Sequence, residues 1–262
     1  MFDFQQFTQN GAQHQTDNDN ENIGCFYGTG DTDNHGGYII LSLIVGYVFG
    51  SISVSVILSK CLFKGDVRQH GSGNAGATNM ARVYGAKGGL LVLLGDFLKA
   101  IIACAIVLLI AEEQYTEVCL MTTGIACIMG HAYPVFFGFK GGKGVTVGAA
   151  VALIIDWKIL VFIVIVFFVV FMLTHIVSIS SILGATGLIL STLVFYTLNV
   201  SGVAGDAFSN FTVYRLVLAI VASVISIWLH RTNIVRLLKG EEKVFTFKKN
   251  TKEQAVAVTK EK

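Results

Sequence analysis

The segment RQHGSGNAGATNMAR, from Arg68 to Arg82, combines glycines with small polar side chains and a closing arginine. Glycine-rich turns expose backbone N–H groups and form anion-binding nests. An arginine guanidinium can hold a phosphate through two parallel hydrogen bonds. These residue types predict a phosphate-binding turn. Its candidate residues are Ser72, Gly73, Asn74, Gly76, Thr78, Asn79 and Arg82.

The run from Gly71 to Gly76 also satisfies the G-x-G-x-x-G pattern of dinucleotide-binding proteins. That fingerprint needs a preceding strand, a following helix and an acidic residue about 20 residues further on. Asp96 lies near that distance but inside an apolar run, and no strand pattern precedes Gly71. The residues therefore favour a nest for another phosphate, with a flexible loop between helices as the alternative.

A second glycine-rich segment, GHAYPVFFGFKGGKGVTVG, begins at Gly130. It resembles a P-loop only superficially, because Gly138 is one residue too close to Lys143 and Gly144 stands where Ser or Thr would hold magnesium. Its two lysines predict a second anion site or, alternatively, contacts with lipid headgroups. His131 either completes a helix end or belongs to the site. The candidate residues are Gly141, Gly142, Lys143 and Gly144.

The segment WLHRTNIVRLLKGEE places His230, Asn233 and Arg236 on one stripe of a helix. A basic helix end reaching towards phospholipid is the alternative, but it leaves the His and the Asn unexplained. Ser178 and Ser181 are further candidates, although serines also mediate helix packing in membranes.

Asp96 and Lys99 lie inside an apolar run, where ionisable groups usually pair. A structural ion pair and a proton path both fit their spacing. No group of His, Cys, Asp and Glu has the spacing of a metal site. We therefore expect no metal and no cofactor.

The elements that position these residues are apolar runs close to membrane-spanning length. The chain is 53% hydrophobic and 14% charged, with a mean hydropathy of +0.67, whereas soluble domains carry about 25% charged residues. A spanning helix needs about 20 apolar residues. These runs predict an all-α polytopic membrane protein with about seven spans, of which 145–155 is short. The expected spans are 37–60, 88–111, 117–133, 145–155, 159–176, 179–198 and 213–230.

Charge is distributed unevenly along the chain. Residues 1–59 contain no Lys or Arg, whereas the segment after Trp228 carries nine of the 19 basic residues. The positive-inside rule therefore places the N-terminus outside and the C-terminus in the cytoplasm. The glycine-rich segments at 71–76 and 141–144, the Ser178 region and the His230 segment then all lie on the cytoplasmic face. The expected organisation is a disordered polar extension (1–36), a membrane domain (37–240) and a charged, flexible cytoplasmic tail (241–262).

Five segments occur in order between about Tyr47 and Glu242. They read KGDVRQHGSGNAGATNMARVYGAKGG, LLGDFLKA, GHAYPVFFGFKGGKGV, VSISS and HRTNIVRLLKGEE. In these segments the chain resembles the bacterial acyl-phosphate:glycerol-3-phosphate acyltransferases. The resemblance implies a seven-span membrane enzyme that transfers a fatty acyl group from acyl phosphate to the 1-hydroxyl of glycerol 3-phosphate. The products would be lysophosphatidic acid and phosphate, in the first step of phospholipid synthesis.

The resemblance also implies roles for individual residues. The catalytic residues would be Ser72, Arg82, Lys143, His230 and Asn233. The substrate-binding residues would be Gly73, Asn74, Gly76, Thr78, Asn79, Gly141, Gly142, Gly144 and Ser178, to which the residue pattern alone adds Ser181 and Arg236. The expected partners are the two substrates and membrane lipids, with no nucleic acid, and the expected state is a monomer in the cell membrane.

The residue chemistry fits such a reaction. An acyl phosphate is a mixed anhydride with a good leaving group, so positioning and cationic stabilisation suffice without an enzyme nucleophile. We expect Arg82 and Lys143 to clamp phosphates and His230 to orient glycerol 3-phosphate. The proton would leave to His230 or to a phosphate oxygen. A transporter for phosphorylated anions would instead need a midplane site with broken helices, and an acyl-CoA donor would need an adenine pocket that the sequence does not show.

Overall fold

The computed structural model describes residues 34–203 and 205–245, and no strand occurs in this part of the chain. The segments 1–33 and 246–262, which cover most of the expected extension and tail, lie outside the described residues. The α-helices of the described part are α1 (Asn34–Gly50), α2 (Val54–Phe63), α3 (Ala77–Tyr84), α4 (Ala86–Ile110), α5 (Thr116–Ala132), α6 (Val145–Ile155), α7 (Trp157–Thr174), α8 (Val177–Ser201), α9 (Val213–Leu229) and α10 (Arg231–Leu238).

Five apolar segments of the described chain are long enough to cross a membrane. They are Gly36–Phe63, which covers α1 from Gly36 onward and all of α2, Ala86–Ile110, Glu113–Phe137, Trp157–Thr174 and Val177–Ser201. The pair α9 and α10, bent by 57°, supplies a sixth if it counts as one span. The expected all-helical architecture with several membrane-length helices is confirmed.

The short helix α6 decides whether the count reaches seven. It has 11 residues, which extend over about 16 Å at 1.5 Å per residue. The hydrocarbon core of a bilayer is about 30 Å thick. The count of seven and the orientation of the termini therefore stay predictions.

Close contact between α1 and α5 builds the framework beneath the polar segments. A Cβ on Gly46 would overlap the carbonyl oxygen of Thr123, and one on Gly130 would overlap that of Tyr47. Small residues allow helix backbones to approach in this way in membranes. The end of α5, which carries His131, is thereby held against the break between α1 and α2.

Two buried apolar clusters support the two glycine-rich segments. The first includes Val147 and Val151 of α6, both fully buried, with Ile128 of α5. The second packs Val67 and Met80 beneath the turn that precedes α3. Since Gly144 directly precedes α6, the burial of this helix fixes where the second glycine-rich segment ends.

The packed part of the chain extends past residue 241, where the sequence suggested a flexible tail. The backbone N–H of Phe245 donates a 2.8 Å hydrogen bond to the carbonyl oxygen of His175. Its ring lies 6.1 Å from the ring of Phe171, centroid to centroid. Residues 241–245 therefore pack against the corner between α7 and α8. At the other end, α1 begins at Asn34, three residues before the expected boundary.

Candidate active site

The first glycine loop, defined as residues 64–76, turns through left-handed backbone at two glycines. Gly71 and Gly73 have φ of 66° and 72°, a backbone conformation that residues other than glycine rarely adopt. A Cβ on Gly71 would also overlap Oδ1 of Asn79. Glycine is thus required at position 71 both by conformation and by space.

Asn79 holds this loop in place from the first turn of α3. Its Nδ2 donates to the carbonyl oxygens of Val67 (2.9 Å) and His70 (3.0 Å), and its Oδ1 accepts from the backbone N–H of Ser72 (2.8 Å). The side chain is 1% exposed. Asn79 therefore shapes the loop, and it influences a ligand through the backbone it orders.

The second glycine loop, defined as residues 138–144, caps the C-terminal end of α5. The N–H of Gly141 donates to Ala132 O (3.2 Å), and that of Gly142 donates to His131 O (3.0 Å). These carbonyls would otherwise lack helical partners. A Cβ on Gly141 would overlap the carbonyl oxygen of His131, so only glycine fits this close approach.

The two loops are joined directly. The N–H of Ala75 donates a 3.3 Å hydrogen bond to the carbonyl oxygen of Gly141. Arg68, which sequence reasoning did not single out, pairs with Asp66 at 2.7 Å and donates to the carbonyl oxygen of Phe137 at 2.5 Å. The two segments that the sequence singled out as phosphate turns therefore form one surface.

Lys143 connects this surface with the C-terminal segment. The side chain is half-buried, and burial lowers its pKa to about 8. Glu242 opposes this shift electrostatically, while Arg236 and Arg82 add to it. Lys143 thus lies within electrostatic reach of groups from α3, α10 and the segment that follows α10. Within the described part of the chain, neither Lys143 nor Arg82 has an ion-pair partner.

Three donors converge on the carboxylate of Glu242. Ser178 Oγ donates at 2.8 Å and Asn233 Nδ2 at 2.7 Å to Oε1, and Arg236 Nε donates at 2.9 Å to Oε2. Burial alone would raise the pKa of Glu242, but these hydrogen bonds outweigh it and hold the pKa below its usual value. The carboxylate thereby ties α8 to α10.

Glu242 was missed by sequence reasoning, which assigned it to the tail. Two signals were present, the acidic pair Glu241–Glu242 within a basic segment and the end of the segment HRTNIVRLLKGEE at Glu242. The spacing does not show which of the two glutamates points into the protein. In the structure Glu242 does, whereas Glu241 is exposed.

Two hydrogen-bond acceptors in the same segment, on His230 and Asn233, have no partner among the described residues. His230, which lies between α9 and α10 and is 2% exposed, has Nδ1 at 2.8 Å from the carbonyl oxygen of Ser226. Since a carbonyl only accepts, Nδ1 carries the proton, and Nε2 of the neutral ring is an acceptor with no partner in the described part of the chain. Asn233 Oδ1 is buried without a hydrogen-bond partner among the described residues.

Four helices begin at segments that carry candidate residues. They are α3, which follows Gly76, α6, which follows Gly144, α8, whose second residue is Ser178, and α10, whose third residue is Asn233. The N-terminus of a helix carries partial positive charge and exposes N–H groups, which suits phosphate. The candidate segments therefore combine helix N-termini with cationic side chains.

The remaining candidates differ in what they contact. Ser72 is exposed on the first glycine loop. Gly144 has φ of 74° and precedes α6. Ser181 is buried, and its hydroxyl donates at 2.8 Å to the carbonyl oxygen of Val177 in its own helix. The contacts thus place Ser181 in helix packing and link Ser178 to the site through Glu242. Gly73, Asn74 and Thr78 lie on or beside the first glycine loop.

Fold and site together define a class, a helical membrane protein with a cationic, glycine-lined site suited to phosphate groups. The model of the family described as glycerol-3-phosphate acyltransferase matches residues 40–240, and the chain belongs to this family. The resemblance found in the motifs is thereby confirmed.

Individual relatives agree. The chain is 36% identical over 205 residues to the glycerol-3-phosphate acyltransferase of Finegoldia magna, covering 78% of this chain and 95% of that protein. It is 37% identical over 213 residues to that of Halalkalibacterium halodurans, covering 80% and 97%. The crystal structure of PlsY (YgiH), an integral membrane glycerol 3-phosphate acyltransferase, in its glycerol 3-phosphate form has a TM-score of 0.66 at 36% identity. That match covers 79% of this chain and 96% of PlsY. The lysophosphatidic acid form of PlsY has a TM-score of 0.65.

Proposed function

We propose that this chain transfers a fatty acyl group from an acyl phosphate to the 1-hydroxyl of glycerol 3-phosphate. The chain is a membrane acyltransferase of the first step of phospholipid synthesis. The two forms of PlsY are named for glycerol 3-phosphate and lysophosphatidic acid, which are the acceptor and the product of such a transfer. The observation that carries the choice of donor is the pair of cations, Arg82 and Lys143, beside two joined glycine loops.

The reaction needs no covalent intermediate on the protein. The oxygen of the 1-hydroxyl attacks the acyl carbonyl carbon, a new C–O bond forms, and the anhydride C–O bond breaks. Phosphate leaves with the electron pair. The hydroxyl proton goes either to Nε2 of His230 or to a phosphate oxygen. Cations and backbone N–H groups stabilise the charge that develops on oxygen in the transition state.

Each part of the site suits one part of this step. Arg82 and Lys143 hold the two phosphates, and Ser72 with the N–H groups of the glycine loops binds the donor. His230 Nε2 and Asn233 Oδ1, which no other described residue occupies, accept from the hydroxyl groups of glycerol 3-phosphate. Arg236 and Ser178 act through Glu242, which holds Asn233 in position. Because the reactants are held together, their reaction gains the advantage of an intramolecular one.

The apolar helices make the chain a multi-pass membrane protein. We further propose that the site faces the cytoplasm, with the N-terminus outside, seven spans in total, and a monomer as the working unit. The absence of basic residues from 1–59 and their abundance after Trp228 support this orientation.

An assay of the purified protein with two donors tests the proposal. Glycerol 3-phosphate is incubated with palmitoyl phosphate or with palmitoyl-CoA, and lysophosphatidic acid is measured, together with free phosphate for the first donor. We expect product and phosphate in equal amounts with palmitoyl phosphate and no product with palmitoyl-CoA. Product from palmitoyl-CoA alone would overturn the choice of donor.

A further inference from the structure

A buried polar cluster lies beside the active site and takes no part in the proposed chemistry. Asp96, Lys99 and His131 are 2%, 5% and 6% exposed. Lys99 Nζ lies 2.9 Å from Asp96 Oδ1 and 3.0 Å from His131 Nδ1. The spacing of Asp96 and Lys99 left an ion pair and a proton path equally open, and the structure shows the ion pair, extended by a histidine from another helix.

Lys99 also reaches the break in the first membrane segment. Its ammonium donates to the carbonyl oxygens of Gly50 (3.0 Å) and Ile52 (2.8 Å), between the end of α1 and the start of α2. An ammonium has three N–H donors and no acceptor. Four acceptors surround these three donors, since His131 Nδ1 and Asp96 Oδ1 lie beside the two carbonyl oxygens, and His131 Nδ1 also lies 3.5 Å from Asp96 Oδ1.

The opposite edge of the same imidazole lies against the second glycine loop. A Cβ on Gly142 would overlap His131 Nε2 and would lie 3.1 Å from the carbonyl oxygen of Ala75. The carbonyl oxygen of His131 also accepts the N–H of Gly142. His131 thus contacts the residue before Lys143 through both its ring and its backbone.

Stability alone gives little reason for such a cluster. A buried ion pair adds little stability compared with well-packed apolar residues of similar size, and ionisable groups are costly inside a membrane. What the cluster supplies is orientation, because each contact fixes the next group along a short chain.

We propose that Asp96, Lys99 and His131 form a positioning unit for the second glycine loop. Asp96 fixes the ammonium, the ammonium fixes the imidazole, and the imidazole edge sets the backbone at Gly142 and with it the place of Lys143. These three are positioning residues and do not touch substrate. The kinetic test of this positioning unit rests on the proposed function, because it measures acyl transfer from palmitoyl phosphate.

Kinetics of the double variant Asp96→Asn/Lys99→Met test the unit. Removing both charges avoids leaving one charge buried and unpaired. Misplacement of a reacting group by about 1 Å can cost about 100-fold in rate, so we expect kcat/KM for palmitoyl phosphate to fall by up to about 100-fold, with a raised KM. Loss of folded enzyme lowers the apparent kcat but cannot raise KM, so the KM separates positioning from stability.

The matched control removes an ion pair at the other end of α5. Glu117 and Arg215 pair at 3.2 Å, and Glu117 lies about 21 Å along the helix from His131. We expect Glu117→Gln/Arg215→Met to change thermal stability but not KM. An unchanged KM in Asp96→Asn/Lys99→Met would overturn the positioning unit. A wild-type enzyme that does not use palmitoyl phosphate would instead overturn the proposed function.

A double-mutant cycle of Gly142 and His131 tests the proposal if Asp96→Asn/Lys99→Met does not fold. Gly142→Ala is measured in the wild type and in His131→Ala, where the overlapping ring is absent. We expect Gly142→Ala to reduce kcat/KM strongly in the wild type and much less in His131→Ala. Equal losses in both backgrounds would show that the ring does not set the loop, and would overturn the proposal.

Discussion

Asn233 donates a 2.7 Å hydrogen bond from Nδ2 to Glu242, while its Oδ1 is buried without a hydrogen-bond partner among the described residues. One side chain thus reaches the carboxylate that joins α8 and α10 and also offers a free acceptor. This hydrogen bond fixes the orientation of the Asn233 amide, since only the amide nitrogen can donate to Glu242.

The first prediction replaces the amide of Asn233, which donates to Glu242, by a carboxylate, which cannot donate. Asn233→Asp keeps the free oxygen but sets a second carboxylate against Glu242, and two adjacent carboxylates cannot both ionise easily. We expect kcat/KM for glycerol 3-phosphate to fall by tenfold or more, about 1.4 kcal/mol. Adding Glu242→Gln restores a donor opposite the new carboxylate and should recover part of the loss.

The control for this exchange is Asn199→Asp, which makes the same change where Asn199 contacts Phe211 O, away from the candidate residues. We expect its KM for glycerol 3-phosphate to equal that of the wild type. A double variant no better than Asn233→Asp alone would contradict the assigned hydrogen bond.

The second prediction concerns stability and pH at Glu242. Because its pKa in the folded protein is lowered, Glu242 contributes stability that is fully present above its ordinary pKa of 4.5. That stability is lost as the pH falls through the lowered folded value. Glu242→Gln should therefore lower the unfolding midpoint in detergent near pH 7, by about 2–4 °C for each kcal/mol lost, and the difference should shrink in acid.

Glu241→Gln is the matched control for Glu242→Gln, since the neighbouring Glu241 is exposed. Its midpoint should follow that of the wild type at every pH. A gap between Glu242→Gln and the wild type that grows as the pH falls would have the wrong sign for a lowered pKa.

The third prediction is an alkaline limb in the pH–rate profile. Burial lowers the pKa of Lys143 to about 8, and only the protonated amine attracts phosphate. The kcat/KM for either substrate, which reports the free enzyme, should fall as the pH rises through about 8. Lys143→Arg stays charged, since arginine is not deprotonated in proteins. Its profile should lack this limb, although its activity will be lower; a limb that persists near pH 8 would assign it to another group.

The fourth prediction compares two glycines that differ in the space around them. A Cβ on Gly141 would overlap His131 O and lie 2.7 Å from Pro134 Cδ, whereas one on Gly148 meets nothing within 4 Å. Gly141→Ala should therefore displace the second glycine loop and abolish most activity. Gly148→Ala should keep wild-type activity and gain up to about 1 kcal/mol from helix propensity. Comparable activity of the two variants would argue against the close approach at Gly141.

The membrane helices and the glycine loops could be recognised from the sequence for a physical reason. Both depend on local composition, as the agreement between the expected span 159–176 and Trp157–Thr174 illustrates. The break between Gly50 and Val54 was not expected, because no proline marks it and its free carbonyls are satisfied from another helix by Lys99.

Other features depend on contacts between distant parts of the chain. Asn79 has the residue type of a phosphate ligand, yet its amide is occupied by the loop backbone. Glu242 contacts Ser178 across 64 positions, and no periodicity links the two. The cluster of Lys99 with His131 likewise joins two helices whose register against each other is set by packing.

The central claim is that Lys143 holds substrate phosphate where the segments of the site meet. Steady-state kinetics of Lys143→Met against Lys140→Met test it most directly. Lys140 belongs to the same loop, but its side chain is exposed and makes no hydrogen bond or ion pair among the described residues. We predict that Lys143→Met loses about 100-fold or more in kcat/KM for palmitoyl phosphate, while Lys140→Met stays within about twofold of the wild type. Equal activity of the two variants would contradict the account.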